Sequence, residues 1–220
     1  MNFLSQLENG IFASKKDLEK FSKNENAKIL VISDSHGAKE TFLSIVQTFG
    51  AKADALIFAG DGIFDLLFVI EKAKNHFSTA SWLPPVIAFV KGNNDPSFCS
   101  ADFSKDIIVP PKITMQAGKR TILVSHGHSE GVYYDYSAVQ ATAQVFGADT
   151  AIFGHTHVPA ELMGTTYIMN PGSISLPRHR SSAGFAILEI TGKNISSIFY
   201  RIENGQKPEF IPYHPEQFYG

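Results

Sequence analysis

The sequence has little cysteine, no excess of basic charge and no long apolar run. Cys99 is the only cysteine among 220 residues, which excludes a disulfide within the chain and favours a reducing compartment. Lys and Arg number 19 and Asp and Glu 21, so a formal net charge of −2 gives no basic footprint for nucleic acid. The apolar run from Leu66 to Ile70 stops at Glu71, whereas a membrane span needs roughly 18 residues. We therefore expect a cytoplasmic protein without a secretory signal that binds neither nucleic acid nor membrane.

What the chain does have is enough apolar material for a sizeable core. Apolar residues make up 44% and charged residues 18%, and there are 18 Phe. This composition excludes a disordered or low-complexity protein, and the length fits one domain of ordinary to large size.

Short apolar runs that end in polar clusters recur along the chain and predict buried strands. The runs are 28–33, 54–59, 86–90, 121–124 and 151–153. Continuous apolar runs of this length are typical of strands covered on both faces. Amphipathic or apolar helical segments lie at 39–49, 63–77 and 135–146, and further strands at 166–169, 185–190 and 195–200. The sequence thus predicts an α/β protein with two sheets and flanking helices.

The two flanks of the chain differ from this pattern. Residues 1–26 form an N-terminal extension with a possible helix, capped by Ser14 three residues before Asp17. Residues 203–220 contain three prolines among aromatic residues. We expect this C-terminal tail to lie as an extended strip on the surface or on a partner subunit, rather than to form an element of its own.

Chemistry-bearing side chains follow five of the predicted strands. The carboxyl ends of strands in α/β sheets border the ligand crevice, so these side chains are expected to meet. Carboxylate, carboxamide and imidazole together suit divalent Mn, Fe, Co, Ni or Zn rather than Ca, and the lack of cysteine among them argues against a structural zinc site. Each cluster alone can also be a structural turn, but the five together predict a metal centre. The candidate residues are Asp34, His36, Asp61, Asn93, His126, His155 and His157.

This ordered set of motifs resembles the calcineurin-like metallophosphoesterases. The segments 170–173 (Asn-Pro-Gly-Ser) and 177–178 (Pro-Arg) are similar to those of its small single-domain bacterial and archaeal branch, which includes the eukaryotic retromer scaffold subunit. The resemblance covers roughly residues 27–202, and it implies a metallophosphoesterase domain there. The implied fold is a four-layer α/β/β/α sandwich, with two mixed β-sheets flanked by helices.

The resemblance also implies a dinuclear metal centre. One ion would be held by Asp34, His36, Asp61 and His157, and the other by Asp61, Asn93, His126 and His155. Asp61 would bridge the two, since a carboxylate can offer one oxygen to each ion. The two divalent ions, manganese foremost with nickel, iron, cobalt or zinc as alternatives, can share a hydroxide that attacks a phosphate ester.

The acid that would protonate the leaving group is missing from its usual place. Many family members have His after the metal-binding Asn, and here that position is Asn94, which can donate a hydrogen bond but not deliver a proton. His128 is either the replacement acid or a hydrogen-bond partner of a ligand. Asp95 either orients residue 94 or caps the loop. Arg178 either binds substrate phosphate through its guanidinium or forms a surface salt bridge.

Three functions are compatible with these residues. The first is metal-dependent hydrolysis of a small phosphate ester, and a phosphodiester is preferred because the acid is missing and few basic residues are available to hold a dianion. The second is a non-catalytic, metal-binding interaction module or scaffold of the same fold. The third is a metal-bound regulatory protein with vestigial activity. A homo-oligomer is compatible with all three.

Overall fold

Helices separate the early strands of the chain, and strands dominate its second half. The computed structural model describes residues 6–8, 10–74, 81–100, 106–133, 135–203 and 207–215. The helices in this part are α1 (Lys15–Lys23), α2 (Lys39–Phe49), α3 (Ile63–Lys74) and α4 (Ser137–Val145). The strands are β1 (Gln6–Glu8), β2 (Ile11–Ala13), β3 (Asn26–Ile32), β4 (Ala55–Phe58), β5 (Val86–Phe89), β6 (Phe98–Ser100), β7 (Asp106–Ile108), β8 (Lys112–Ala117), β9 (Arg120–Ser125), β10 (Thr150–Ile152), β11 (Ala160–Leu162), β12 (Tyr167–Asn170), β13 (Gly184–Thr191), β14 (Asn194–Glu203) and β15 (Glu209–Tyr213).

The strands form two mixed sheets and a small ribbon. The large sheet has the order β1-β2-β5-β4-β3-β13-β14-β15, and β3, β4 and β5 are its parallel strands. The smaller sheet has the order β11-β12-β10-β9-β8, with β9, β10 and β12 parallel and antiparallel strands at both edges. The antiparallel pair β6–β7 forms the ribbon.

The core is divided among three apolar layers that lie between four layers of structure. In β3, Ile29 and Val31 face the small sheet, while Leu30 and Ile32 face α2 and α3. Val139 of α4 packs on the other face of the small sheet. The central strands are apolar throughout because both of their faces are buried. The predicted fold class is confirmed: helices, large sheet, small sheet and helix lie in that order.

The helices agree with the sequence-based predictions, except at their ends. α2 has the predicted bounds, and α3 begins at Ile63 as predicted, but the expected continuation to Phe77 lies outside the described residues. α4 begins two residues later than predicted, because Asp135 accepts a hydrogen bond from the Ser137 backbone N–H (2.7 Å) and so precedes the helix. No helix in the described part is long and apolar enough to cross a membrane.

Both flanks of the chain join the large sheet. α1 is capped as predicted, with the Asp17 backbone N–H donating to Ser14 Oγ (3.0 Å), while β2 pairs with β5. The C-terminal tail is extended, but the expectation that it forms no element was wrong, since β15 pairs with β14. Pro212 is tolerated there because an edge strand has one side without a ladder, and Phe210 packs against Phe49 with ring centroids 5.6 Å apart.

Candidate metal centre

The candidate ligands lie on loops that leave the carboxyl ends of five strands. Asp34 and His36 follow β3, Asp61 follows β4 and Asn93 follows β5, all in the large sheet. His126 follows β9, and the segment 155–157 follows β10, both in the small sheet. The two sheets pack face to face, so their loops converge on one edge of the interface between them.

Five of these ligands have a left-handed backbone, which L-residues other than glycine rarely adopt. Close packing of the loops accompanies this conformation: a side chain at Gly92 would collide with Asp61, and one at Gly154 would collide with Ser33. The glycines that flank the ligands are therefore required by space. The five ligands with positive φ are Asp34 (53°), His36 (41°), Asp61 (59°), His155 (68°) and His157 (61°).

Asp34 has one carboxylate oxygen bonded and one free. Its Oδ2 accepts hydrogen bonds from Ser33 Oγ (2.6 Å) and from the backbone N–H of His155 (3.0 Å). Its Oδ1 is buried without a hydrogen-bond partner, and it lies 3.1 Å from His157 Nε2 and 3.8 Å from His126 Nε2. The bonds to Oδ2 hold the carboxylate so that Oδ1 faces the imidazoles.

Two histidines turn their Nε2 atoms toward this oxygen. His126 Nδ1 donates to the Ala59 carbonyl (2.7 Å), and His157 Nδ1 donates to the Leu176 carbonyl (2.6 Å). A carbonyl only accepts, so in each neutral ring the proton is on Nδ1 and the lone pair is on Nε2. His126 Nε2 is buried with no hydrogen-bond partner.

The ligand atoms form two overlapping groups. Asp34, His36 and His157 make one group, and Asp34, Asp61 and His126 make the other, with the atoms of each group within 4.8 Å of one another. Asp61 Oδ2 faces both groups, at 3.3 Å from His126 Nε2 and 3.7 Å from His36 Nε2. Carboxylate oxygens and imidazole nitrogens thus converge here, and two of them, Asp34 Oδ1 and His126 Nε2, are buried without a hydrogen-bond partner. This arrangement fits a divalent cation, for which carboxylate and imidazole are suitable ligands.

The charges of the cluster reinforce this arrangement. Burial alone would raise the pKa of Asp34, but its contacts with His157 and His36, and the positive charge that His126 carries when protonated, outweigh burial and lower the pKa. Asp61 follows the same pattern through His126, and its pKa falls to about 2. Both carboxyl groups are therefore ionised at neutral pH, the form in which they bind metal.

Asp61 is also held by the loop 92–95. Asn94 donates to it twice, from its backbone N–H to Oδ1 (2.8 Å) and from Nδ2 to Oδ2 (2.7 Å). Asn93 and Asn94 are both exposed, and among the described hydrogen bonds it is the side chain of Asn94, and not that of Asn93, that reaches this carboxylate. The role of Asn93 as a metal ligand stays a prediction.

Asp95 caps a helix and joins two loops. Its buried carboxylate accepts from the backbone N–H groups of Asp61 (2.7 Å), Gly62 (2.8 Å), Ile63 (2.9 Å) and Gly92 (2.9 Å). Ile63 is the first residue of α3 and Gly62 directly precedes it, and N–H groups at this end of a helix have no partner within the helix. The structure thus supports the capping alternative, and the carboxylate is already occupied by four donors.

His155 lies beside the two groups, near the surface. Its ring centroid is 5.1 Å from that of His126. Burial and the charge of His126 lower the pKa of His155 to about 4, so its ring is neutral at neutral pH. His128 is exposed, with its ring centroid 6.0 Å from that of His155, and burial followed by the charge of His126 lowers its pKa.

Tyr133 and Arg178 form the rim beyond His155. The Tyr133 ring centroid lies 4.8 Å from that of His155, and its hydroxyl donates to the His155 carbonyl (3.1 Å). Arg178 Nη1 donates to the same hydroxyl, and its backbone N–H donates to the His157 carbonyl (3.3 Å). Tyr136, three residues after Tyr133, packs against Phe153 instead.

Several supporting residues were not assigned these roles from the sequence. Asp65 of α3 accepts from Ser35 Oγ (2.6 Å) and the Gly37 backbone N–H (2.8 Å), which fixes the loop around His36. Its only signal was an acidic residue among apolar ones at the start of a buried helix. Asn170 donates to the Gly154 carbonyl (2.8 Å), and Ser173 Oγ donates to the Asp34 carbonyl (2.7 Å). The motif at 170–173 therefore holds two ligand loops in place.

Comparisons with known proteins show which family this chain resembles. Residues 27–193 match the family described as the calcineurin-like phosphoesterase superfamily domain. A probable metallophosphoesterase of Bacillus subtilis, YsnB, is 34% identical over 173 residues, which are 78% of this chain and 89% of that protein. The phosphodiesterase YfcE of Escherichia coli strain K12 is 25% identical over 179 residues, which are 74% of this chain and 87% of that protein.

Similarity to solved structures extends the comparison to the fold. The structure of wild-type Vps29 complexed with zinc, from Entamoeba histolytica, superposes with a TM-score of 0.59 at 21% identity. The alignment covers 84% of this chain and 98% of Vps29. At this identity the likeness shows the shared fold alone.

Proposed function

The chain belongs to the calcineurin-like phosphoesterase superfamily, and on that basis we propose that it hydrolyses a small phosphate ester at a centre of two divalent ions. A phosphodiester is preferred over a monoester, and manganese is the foremost metal. The observation that carries the proposal is the pair of buried atoms without hydrogen-bond partners, Asp34 Oδ1 and His126 Nε2, which face each other across 3.8 Å.

Two ions are proposed because the ligands divide into two groups. One ion takes Asp34, His36, Asp61 and His157, and the other takes Asp61, Asn93, His126 and His155. The position of Asp61 Oδ2 between His36 and His126 supports a bridging role. Asp34 also lies near the atoms of both groups, but the proposal assigns it to the first ion and gives the bridging role to Asp61 alone.

The residues of the chain prepare the site for a phosphate group. When bound, divalent ions lower the pKa of water and neutralise the charge that builds on phosphate in the transition state. Bonds from Ser33 and the His155 backbone fix Asp34, while carbonyl acceptors fix the ring orientations of His126 and His157. These fixed orientations reduce the rearrangement needed when phosphate binds.

Residues at the rim account for the substrate preference. The Asn94 carboxamide lies against Asp61 and can donate a hydrogen bond to a phosphoryl oxygen, but it cannot protonate a leaving group. Esters with stable leaving groups are therefore the better substrates. Arg178 lies beyond Tyr133 rather than against the Asp and His groups, so it is not placed to neutralise the second charge of a monoester.

Hydrolysis of two activated esters tests the proposal. Metal-free protein is reconstituted with Mn, Ni, Mg or Zn, and the rates on bis-p-nitrophenyl phosphate and p-nitrophenyl phosphate are compared. We expect metal-dependent hydrolysis with the diester favoured, and its loss in Asp34→Asn. His214→Asn is the matched control, because His214 is exposed and follows β15.

The alternative is a non-catalytic interaction module of the same fold. Two observations favour this alternative: the fold is similar to that of Vps29, and Asn94 stands in place of the usual His. Every predicted ligand position is filled by a residue that can bind metal, which supports the enzyme instead. Metal binding without hydrolysis of either ester, with all four metals, would favour the module.

A further inference from the structure

Left-handed backbone also occurs outside the proposed metal ligands. Among the described residues, seven non-glycine positions have positive φ, and five of them are the ligands named above. The remaining two are His179 (φ 52°) and Arg180 (φ 62°), which are adjacent. Strained backbone of this kind persists only where the surrounding structure holds it in place, and it clusters at active sites and ligand-binding segments.

These two residues form the centre of a tight turn. The Ser181 backbone N–H donates to the Arg178 carbonyl (3.0 Å), which closes a four-residue turn over 178–181. Positive φ at both central positions is the type I′ pattern, which favours Asn-Gly. Here the positions hold two exposed side chains, so burial does not account for the choice of His and Arg.

The turn is bonded to the loop that carries His157. The His157 carbonyl accepts from the Arg178 backbone N–H (3.3 Å) and from Ser181 Oγ (3.4 Å). On its other side, the guanidinium of Arg178 lies 6.0 Å from the centroid of the Tyr133 ring, which in turn lies 4.8 Å from that of His155. The turn is therefore held rigidly beside the candidate centre, one aromatic ring beyond a proposed ligand.

The charge of the turn has no carboxylate partner in the part of the chain that the structure describes. Within the ranges that the structure describes, none of the ion pairs joins a carboxylate to Arg178, His179 or Arg180. Guanidinium groups bind phosphate through paired N–H donors, and two cations match a dianionic phosphate better than a singly charged carboxylate.

We propose that the turn 178–181, here called the arginine turn, binds a second phosphate group of the substrate, apart from the phosphate that is hydrolysed. The substrates are then phosphodiesters that carry a further phosphate monoester. This inference rests on the proposed function, and it deepens that function by naming the substrate class. The Tyr133 ring lies between Arg178 and His155. The Arg178 guanidinium would therefore bind a phosphate that is distant from the reacting phosphorus.

A matched pair of substrates tests the inference. Thymidine 5′-(p-nitrophenyl phosphate) and the same compound with a 3′-phosphate release the same leaving group and differ only in the second phosphate. We expect the KM of the 3′-phosphorylated compound to be about tenfold lower, the size of one charge-assisted hydrogen bond. Equal KM values for the two compounds would overturn the inference.

Variants separate the effect of the turn from the effect of general charge. In His179→Asn with Arg180→Gly, the turn receives its favoured residues, so we expect the melting temperature to rise by about 2–4 °C while the KM difference shrinks. Lys193→Gln removes an exposed cation from the hairpin turn at the opposite end of the large sheet and should preserve the difference. A KM difference that survives in the double variant would contradict the assignment.

Binding without metal distinguishes failure of the turn from failure of the proposed function. In EDTA, we expect thymidine 3′,5′-bisphosphate to bind more tightly than thymidine 5′-monophosphate, measured by calorimetry, and the double variant to lose this difference. If no metal supports hydrolysis of either nitrophenyl ester, the proposed function fails, and the binding comparison still decides the arginine turn. Equal binding of the two nucleotides overturns it.

Discussion

Asp34 shows how single residues in this site combine two roles. One of its carboxylate oxygens receives two hydrogen bonds from the protein, while the other remains unpartnered and faces two imidazoles. His126 and His157 follow the same plan, with Nδ1 bonded to a carbonyl and Nε2 turned inward. In each of these residues, one side-chain atom is hydrogen-bonded and fixes the orientation, while a second atom faces the position proposed for a metal ion.

Asp61→Asn should remove hydrolysis and weaken metal binding at both sites. Asp61 Oδ2 faces both groups, and an amide is a poorer bridge than a carboxylate. Loss of partners around ligands typically costs 10–100-fold in metal affinity, so we expect at least about 100-fold here. Metal content after dialysis provides the measurement, and a content near two ions per chain would contradict the bridging role. Asp54→Asn, at the other end of β4, is the control.

Asn94→His should raise the rate selectively on esters with poor leaving groups. An imidazolium at this position can protonate a departing alkoxide, and general acid catalysis is worth about 10²–10⁴-fold. Asp95 is occupied by four backbone donors and cannot help to orient the new ring, so the gain should fall at the low end of this range. The rates on an alkyl phosphodiester and on a p-nitrophenyl diester are compared, and equal changes on both would show that residue 94 does not face the leaving group.

At the scale of elements, the ends of strands and helices determine the site. Asp95 connects the loop after β5 to the first turn of α3, and Asp65 connects α3 to the loop around His36. The helix therefore holds two ligand loops at a fixed distance from each other, although none of the proposed ligands lies within it.

Asp95→Ala should destabilise the metal-free protein. It removes one charged acceptor from four backbone donors, and we expect the free energy of unfolding to fall by about 2–4 kcal/mol. Asp95→Asn keeps one acceptor oxygen and should lose less. Urea unfolding measures both variants, and Asp135→Ala, which removes the exposed acceptor before α4, should show a smaller loss. If Asp95→Ala lowered the free energy of unfolding no more than Asp135→Ala does, Asp95 would not both cap α3 and join the two loops.

Elements with both faces buried could be predicted from the sequence, and edge elements could not. β3 and β4 are apolar throughout, so their pattern alone predicts buried strands and places Asp34 and Asp61 at their ends. β8 alternates apolar and polar residues over only six positions, and β15 contains a proline, so neither shows such a run. The hydrogen bonds from Asp61 and Gly62 to Asp95 join residues more than 30 positions apart. Local sequence patterns cannot predict contacts over such a separation.

At the scale of the whole molecule, the candidate centre joins the two sheets. Asp34 and Asp61 come from the large sheet, and His126 and His157 from the small one. Metal ions bound to all four would therefore link two layers that otherwise meet through the apolar core between them.

Metal should accordingly stabilise the entire fold. At 100 times the dissociation constant, a ligand bound only by the native state adds about 2.7 kcal/mol, which is a rise of about 5–10 °C in melting temperature for a chain of this size. Calorimetric unfolding with manganese and with EDTA measures the rise, and Asp61→Asn should show much less of it. An unchanged melting temperature under saturating metal would refute the link between the sheets.

The left-handed ligand positions have a consequence for protein engineering. Glycine or asparagine at those positions would relax the backbone, so a mutant library filtered by heat resistance without metal would accumulate substitutions at the residues proposed to bind metal. At these few positions, selection for heat resistance would enrich glycine or asparagine, whereas selection for function would retain the Asp and His residues. Comparing the two enriched populations would map the functional positions of this chain without any knowledge of its substrate.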